Sequence, residues 1–415
     1  MQNSILTIAV HTLGCKVNKC DAEALVNSLK GLGYNAFFGF DVAADVFVIN
    51  TCTVTHVSDR KSRQMVRRAK KLNPDAFVAM CGCMIKDSID GVDFVFDARE
   101  PDMFFEKIRE IPPKTATPLY PKDIKNTRSF IKIQDGCDRF CSYCIVPYVR
   151  GRLKSRLSDE IFSEAESLIK SGAPEIVLTG IQVASYGYDT EESDLPSIIK
   201  KIASIQGIKR LRLSSIDPWA ISEKFLSAVK ESQALCSHFH LSLQSGCDTT
   251  LEKMNRKYTT KDYAKAANEL RKIRPDAALT TDIIVGFPGE SDSDFEQSLD
   301  FAREMEFAKI HVFEFSPRKG TPAAEFSGQV PHKIKSERGK IMRELALNLQ
   351  RKFLQKQVGK IQNVLFEKNK TQGIYQGNSE NYCLVQVKND KNLRGTIKKV
   401  KITACEGETL IGNLL

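Results

Sequence analysis

The sequence predicts an α/β fold in three parts. These are an N-terminal parallel βαβ domain over residues 1–110, a partial (β/α)6 barrel over 127–352 and a small all-β domain over 353–415. Three observations predict it. Short apolar strand runs alternate with helical patterns through the first two parts, which implies parallel sheets. Pro112, Pro113, Pro118 and Pro121 fall within ten residues and mark a linker over 111–126, because proline locks the backbone and removes a donor. Beyond residue 352 the pattern changes to short β-prone runs separated by Gly, Asn and Lys.

In the first part, Ile5–Val10 reads as a buried strand, and Asp21–Gly33 as a helix with Leu25, Leu29 and Leu32 at helical spacing and a terminal glycine. Val46–Asn50 is the next strand, Ser58 caps a helix to Leu72, and Ala76–Met80 is a third strand. In the second part, strands fall at Phe130–Gln134, Ile176–Thr179, Arg210–Leu213, Phe239–Leu243, Leu279–Val285 and Ile310–Phe315. Helical patterns begin near Ser158, Leu195, Ser222, Thr260, Asp292 and Pro331. A closed eight-unit barrel usually takes ~250 residues, so six units in this span predict an open one. In the third part, Val364–Glu367, Ile374–Tyr375, Tyr382–Lys388, Thr396–Ile402 and Leu410–Ile411 predict a small antiparallel barrel.

Composition narrows the function. The 415 residues are 42% hydrophobic and 27% charged, a globular balance. No charge-free apolar run approaches the ~18 residues of a membrane span. No Lys or Arg precedes the first apolar run, so an export signal is not expected and a cytoplasmic location with no membrane partner is. The 12 cysteines are therefore expected to stay reduced, which favours metal binding or catalysis for any clustered set. The last 63 residues carry 10 basic and 5 acidic side chains, half of the net charge of +10. That points to a polyanionic partner or to a solvated basic surface.

The sharpest motif is Cys137-Asp-Arg-Phe-Cys141-Ser-Tyr-Cys144, just beyond the first strand of the second part, where barrel active sites sit. Structural zinc usually takes four ligands, whereas three thiolates in a short run suit an iron–sulfur cluster with one open iron. A second set is dispersed. Cys15, Cys52 and Cys83 each lie a few residues beyond a strand of the first part. Parallel strand ends share one edge, so these cysteines either converge on a second cluster or are separate buried thiols.

The Cys137 spacing, with an aromatic before its last cysteine, resembles the radical S-adenosylmethionine (SAM) enzymes. Together with the dispersed cysteines, the whole chain resembles the radical SAM methylthiotransferase family. The matching pieces are Gly14-Cys15, Asn50-Thr-Cys52, Gly82-Cys83, Leu241–Gly246, Met254-Asn-Arg-Lys-Tyr-Thr259, Asp282–Glu290 and Phe315–Pro322. The resemblance implies a radical SAM barrel and a C-terminal TRAM domain. It implies two [4Fe-4S] clusters: a catalytic one on Cys137, Cys141 and Cys144, and an auxiliary one on Cys15, Cys52 and Cys83. Cys81 and Cys20 stand beside these sets as ambiguities. SAM would serve twice, once as methyl donor to sulfur of the auxiliary cluster and once, cleaved reductively, as the source of a radical that takes hydrogen from the substrate carbon.

Within the family, His11–Asn18, Thr51–Thr55 and Lys61–Gln64 resemble the MtaB branch, which acts on C2 of N6-threonylcarbamoyladenosine at tRNA position 37. Other branches act on N6-isopentenyladenosine in tRNA or on an aspartate of a ribosomal protein. The resemblance makes tRNA, a reductant protein such as flavodoxin or ferredoxin, and a sulfur source the expected partners. Tyr143, Gly180, Gln182, Ser242, Gln244 and Gly286 resemble SAM-contacting positions, or are ordinary strand-end polarity. Arg60, Lys61, Arg63, Arg67 and Arg68 on the helix after Cys52, with Lys398 and Lys399 in the tail, either meet RNA phosphates or form solvated faces. Phe366, Tyr375 and Tyr382 either pack in the tail's core or stack bases. Arg150, Arg152 and Arg156 either steer an anion or solvate the cluster loop.

Overall fold

A computed structural model describes residues 5–52, 56–83, 89–113, 127–371 and 373–415. Of the expected linker, residues 114–126 lie outside the described residues, as do 53–55 of the stretch after Cys52. The chain forms two compact units. One is drawn from Met1–Lys125 with Gly136–Asp138 and Cys144–Arg152, the other from Asn126–Asp135, Arg139–Tyr143 and Leu153–Leu415.

The first unit is a parallel sheet of β1 (Thr7–Thr12), β2 (Asn35–Phe38), β3 (Val46–Thr51), β4 (Phe77–Gly82) and β5 (Phe94–Val95), in the order β2-β1-β3-β4-β5. Helices α1 (Lys16–Gly31) and α3 (Asp102–Arg109) cover one face, where Leu25, Leu29 and Phe104 pack on Ile8 and Val48. Helix α2 (His56–Leu72) covers the other, with Val66 and Ala69 against Phe47 and Ile49. Helix α1 begins five residues earlier than its apolar spacing suggests, because Asn18 and Asp21 in its first turns are polar yet buried. Strands β2 and β5 were not expected, being too short to show alternation. Helix α4 (Val146–Arg150) also belongs to this unit.

The second unit holds six parallel strands: β6 (Ser129–Asp135), β8 (Ile176–Gly180), β9 (Leu211–Leu213), β10 (His238–His240), β11 (Ala278–Val285) and β12 (Lys309–Glu314). A two-residue strand, β7 (Lys154–Ser155), runs antiparallel to β6. Isolated bridges Leu211–Leu235 and Ile216–Leu241 join the β6-β8-β9 sheet to β10-β11-β12. Among the described residues β12 does not pair with β6, so the barrel is open, as six units predict. The outer layer comprises α5 (Ser158–Lys170), α6 (Leu195–Ala203), α7 (Glu223–Glu231), α8 (Asp248–Lys253), α9 (Thr260–Ile273), α10 (Asp292–Met305) and α11 (His332–Gln355). Capping boxes at Thr259/Asp262 and Ser291/Asp294 start α9 and α10. Alternate residues such as Leu279, Ile283 and Val285 enter the shared apolar core, leaving Thr280, Asp282 and Ile284 on the inner face.

The tail closes into a barrel of β13 (Ile361–Thr371), β14 (Ile374–Ser379), β15 (Leu384–Lys388), β16 (Ile397–Glu406) and β17 (Thr409–Leu414), in the order β13-β14-β15-β17-β16. Phe366 and Tyr375 are in its core, so neither is a stacking platform. Tyr382 instead faces the (β/α)6 barrel. Its ring lies 4.8 Å from that of His238, and the Arg212 guanidinium sits over it at 4.6 Å.

One buried carboxylate organises that seam. Glu175 accepts from Arg212 Nε at 2.8 Å and from Arg210 Nη1 at 3.4 Å, and all three side chains are almost wholly buried. Both arginines also donate to tail carbonyls, Arg210 to Asn378 at 3.0 Å and Arg212 to Glu380 at 3.1 Å. Burial pushes the Glu175 carboxyl up, but the field and hydrogen bonds of Arg212, then Arg210 and Arg128, outweigh it and hold it below the usual range.

Removing one member of a buried ion network leaves uncompensated charge, at a cost of about 3–5 kcal/mol. Glu175→Gln is therefore expected to destabilise the second unit by that amount in urea unfolding at neutral pH. A depressed carboxyl contributes stability above its unfolded pKa and loses it as pH falls through the lower folded value. The wild-type protein should lose this contribution only in acid below the ordinary glutamate range, and the Gln variant should lack that step. Equal acid sensitivity in the two proteins would remove Glu175 from this role.

Candidate metal centres

The carboxyl edge of the first sheet gathers the dispersed cysteines. Cys15 caps the start of α1 after β1, Cys52 follows β3 directly, and Cys83 follows β4 directly. Strands β1, β3 and β4 are consecutive neighbours, so the three cysteines come from adjacent strand ends. Gly14 makes the approach possible. Its φ is +96°, and a Cβ there would lie 2.6 Å from Cys52 Cβ and 2.8 Å from Cys52 Sγ.

Asn18 stands at the centre of this edge, fully buried. Its Nδ2 donates to the carbonyls of Leu13 at 2.8 Å and Thr51 at 2.7 Å. Its Oδ1 lies 3.9 Å from both Cys15 Sγ and Cys83 Sγ. Arg150, from α4, donates to the same Oδ1 and pairs with buried Asp21 at 2.9 Å. It is therefore neither solvated nor free to meet an exterior anion. Burial pushes the Cys83 thiol up to about 11, partly offset by the charge and hydrogen bond of Arg150, while Cys52 and Cys15 push it further up. Three thiols gathered at one strand edge beside a buried cation form a donor set suited to a thiophilic metal centre. Cys81 sits one strand position from that edge in the apolar core of the sheet, and burial raises its thiol strongly. Cys20, half-buried, lies within α1.

The Cys137–Cys144 loop leaves the carboxyl end of β6. Gly136, with φ +67°, starts it: a Cβ there would lie 1.8 Å from the carbonyl oxygen of Arg152. The Cys137 N–H donates to the Gly151 carbonyl at 3.1 Å. Cys141 is buried, and Cys137 and Cys144 are half-buried. Arg152 is exposed beside Asp138, and Arg156 pairs with Glu164 at 2.7 Å, so these two remain local.

The sequence motif Met254–Thr259 cradles the middle of the loop. Ser142 donates from its backbone to Met254 O at 3.1 Å and from its hydroxyl to Lys253 O at 2.7 Å. Asn255 Nδ2 donates to Phe140 O at 2.9 Å. Arg256 places Nη1 3.3 Å from Cys141 Sγ, pairs with Asp217, and donates from Nε to Tyr258 OH at 2.8 Å. Phe140, Asn255 and Gln244 all adopt left-handed φ, at 46°, 58° and 73°. Such conformations cost about 1–3 kcal/mol each and persist where the surroundings impose them. Residue-by-residue reading missed Arg256, Asp217 and Asn255. Asn255 and Arg256 had the Met254–Thr259 match as a signal, which carried no role, and Asp217 had none.

The candidate SAM positions occupy the strand ends of the same barrel. Gly180 ends β8, and the Gln182 N–H donates to Gln134 Oε1 at 2.9 Å. Gln182 Nε2 also donates to Asp217 at 2.7 Å, which links it to the Arg256 network. The Ser242 carbonyl accepts from Tyr258 OH at 2.8 Å, and Gln244 exchanges backbone bonds of 2.9 Å with Asp282 and Ile284. The Gly286 N–H donates to Glu290 Oε1 at 3.0 Å. Tyr143 packs edge-on to Phe287 at 6.4 Å. Three thiols in one short loop, held by backbone bonds and flanked by a buried guanidinium, fit an iron–sulfur group, and the polar strand ends fit a zwitterionic cofactor.

The basic positions remain on the surface. Arg60, Lys61, Arg63, Arg67 and Arg68 are exposed along α2, with Arg68 3.0 Å from Asp41. Lys398 and Lys399 are exposed on β16. Among the described residues no helix is long and apolar enough to cross a membrane.

Comparison with known proteins agrees with this geometry. Residues 131–302 match the radical SAM superfamily, 7–97 match a family described as uncharacterized protein family UPF0004, and 355–415 match the TRAM domain. The chain is similar to threonylcarbamoyladenosine tRNA methylthiotransferase MtaB of Bacillus subtilis, at 36% identity over 95% of this chain and 93% of that one. The corresponding protein of Chlamydia pneumoniae is 37% identical over 99% and 98%. A tRNA-2-methylthio-N(6)-dimethylallyladenosine synthase of Lachnoclostridium phytofermentans is 34% identical over 99% and 96%. Among solved structures, the radical SAM methyltransferase TsrM of Kitasatospora setae shares the fold, with a TM-score of 0.60 at 13% identity over 77% of each chain. Full-length identity to these relatives, with all three domain matches in order, means that the chain belongs to the MtaB-like family of radical SAM methylthiotransferases.

Proposed function

We propose that this enzyme methylthiolates C2 of N6-threonylcarbamoyladenosine at tRNA position 37, next to the anticodon. The observation that carries the reading is the gathering of Cys15, Cys52 and Cys83 around Asn18, in a chain that also bears the Cys137–Cys144 loop. A radical SAM enzyme that only cleaves its cofactor needs one thiol set. A second set suits a reaction that also delivers sulfur.

On this reading Cys137, Cys141 and Cys144 hold one [4Fe-4S] cluster, and Cys15, Cys52 and Cys83 hold another. When bound, the two clusters and SAM supply the radical and the methylthio group. The chain's own residues position and shelter. Arg256 sets a fixed positive charge 3.3 Å from Cys141 Sγ, and Asp217 and Tyr258 fix its orientation. Tyr143, Gly180, Gln182, Ser242, Gln244 and Gly286 frame the cofactor at the strand ends. Asn18 and Arg150 lock the first-sheet edge beside the thiols. Arg60, Lys61, Arg63, Arg67 and Arg68, with Lys398 and Lys399, supply phosphate contacts for tRNA. A flavodoxin or ferredoxin supplies electrons, and a separate sulfur source restores the donor.

The direct test is anaerobic reconstitution, then incubation with SAM, reductant and threonylcarbamoyladenosine-containing tRNA, with nucleosides read by mass spectrometry. The expected product is the 2-methylthio derivative of that base. Product on dimethylallyladenosine alone, or on a ribosomal protein, would replace the substrate assignment.

Variants separate the two thiol sets. Cys141→Ala is expected to abolish reductive SAM cleavage. Cys83→Ala should still form 5′-deoxyadenosine while losing methylthio transfer. Iron content should be roughly eight per wild-type chain and roughly four in either variant. Full methylthio transfer by Cys83→Ala would dismiss the auxiliary site.

Phosphate contacts have their own signature. Each one lost should reduce the slope of log affinity against log salt by roughly 0.7–0.9. Arg63→Ala combined with Arg67→Ala is therefore expected to lower the slope for tRNA binding by about 1.5. An unchanged slope would return this helix face to solvent.

A further inference from the structure

The inner face of β11 and β12 carries a group of side chains that the cluster chemistry does not use. His240 on β10, Asp282 on β11 and His311 on β12 place their polar atoms within 4.8 Å of one another. Strand register brings them together, since Asp282 pairs with His311 and His240 with Thr280. His240 Nδ1 lies 3.1 Å from Thr280 Oγ1, which orients the ring. His240 Nε2 is buried, makes no hydrogen bond among the described residues, and lies 3.3 Å from Asp282 Oδ2. Two residues further on, the register pairs Ile284 with Phe313, and Phe313 is 45% exposed on the face that also exposes His311. The group lies below Ser242 and Gly286 on the same strands, at about 3.3 Å per residue.

We propose that His240, Asp282 and His311, with Phe313 beside them, form the subsite that recognises the N6 substituent of the modified adenosine and select a polar, carboxylate-bearing one. The proposal rests on the tRNA reading above and specifies which adenosine the enzyme accepts. A threonylcarbamoyl group presents N–H and O–H donors together with carbonyl and carboxylate acceptors. Asp282 accepts from such donors, and imidazole N–H groups donate to such acceptors. Ile284 and Phe313 offer apolar contact to the threonyl methyl or the base. A dimethylallyl group offers no hydrogen bond and would bury a carboxylate and two imidazoles against hydrocarbon, which is unfavourable. The sequence relatives do not decide between the two, because both kinds match at 34–37% identity. The polar inner face of the barrel favours the threonylcarbamoyl one. A transition metal is the other ligand that two imidazoles and a carboxylate suit. Structural metal sites are closed by a fourth ligand, whereas among the described residues this group has three and lies open beside an exposed aromatic.

The test uses the full-length reconstituted enzyme and three anticodon stem–loops, carrying threonylcarbamoyladenosine, dimethylallyladenosine or unmodified adenosine at one position. Affinity by fluorescence anisotropy and methylthio product by mass spectrometry are both read. Wild-type enzyme should favour the threonylcarbamoyl RNA over the other two by about ten- to hundredfold, the range for a few buried polar contacts. His311→Phe should reduce that preference to within about twofold, and His311→Gln, which keeps a donor, should retain most of it. Full preference in His311→Phe, with active wild-type enzyme, would overturn the subsite while leaving the tRNA reading intact. Wild-type product only on the dimethylallyl RNA would overturn the subsite and the threonylcarbamoyladenosine assignment together. Stoichiometric zinc in purified wild-type protein, lost in His311→Phe, would also overturn the proposal in favour of a metal site.

Discussion

Parallel strand pairing delivers every strand's carboxyl end to the same edge of its sheet, and the chemistry of this chain depends on that constraint. In the first unit, β1, β3 and β4 lie side by side, so Cys15, Cys52 and Cys83 need no long loops to meet. In the second, β6 brings the Cys137–Cys144 loop to the edge that also holds Gly180, Ser242, Gln244 and Gly286. A cysteine still within the strand stays in the sheet's core: Cys81 is buried there, two residues before Cys83 reaches the edge.

Gathering thiols requires close backbone approach, and the chain obtains it with small residues and buried polar anchors rather than with apolar packing. Gly14 lets the Cys15 loop touch Cys52. Asn18 then donates to two carbonyls beyond the strand ends, those of Leu13 and Thr51. Arg150 brings a buried charge to the same point, compensated by Asp21. An unpaired buried guanidinium would cost several kcal/mol, so Asp21 is what lets Arg150 stand there. The same logic recurs at the amino end of β8 in the (β/α)6 barrel. There Glu175 holds two arginines that also donate to carbonyls of the tail barrel. Such a seam is directional: the tail can dock only where its carbonyls meet those guanidinium groups.

Local chemistry was legible in the sequence, and long-range polar partnership was not. Cys137, Cys141 and Cys144 announce themselves because three ligands fall in one short loop. The six barrel strands were legible because apolar runs of that length leave few alternatives. Arg150 was misread as a loop-solvating or anion-steering residue, since its partner Asp21 lies 129 positions away and nothing in the intervening pattern links them. Arg256 was part of a recognised motif, yet its contact with Cys141 exists only once α8 and the cluster loop are packed. Strands β2 and β5 escaped because four and two residues cannot show alternation. Phe366 and Tyr375 were readable either as core or as platform, and the closure of the tail into a small barrel places both inside.

The proposed selection between adenosine substituents would rest on the part of the fold least free to vary. Loops tolerate change, but His240, Asp282 and His311 stand on three paired strands whose register fixes their separations. A one-residue slip of β12 would turn His311 and Phe313 into the helical layer and bring Ile310 and Val312 to the inner face. Ile310 and Val312 already pack with the apolar core, so that slip is opposed by burial. Hydrophobic packing on the outer face of the strands thereby holds the polar groups of the inner face in place. Placement on strands also brings the precision that hydrogen-bond discrimination needs, because small displacements weaken such bonds steeply. On the proposed subsite, the cysteine edges, the barrel and the tail supply the shared chemistry, and a few inner-face side chains would set which base modification is admitted.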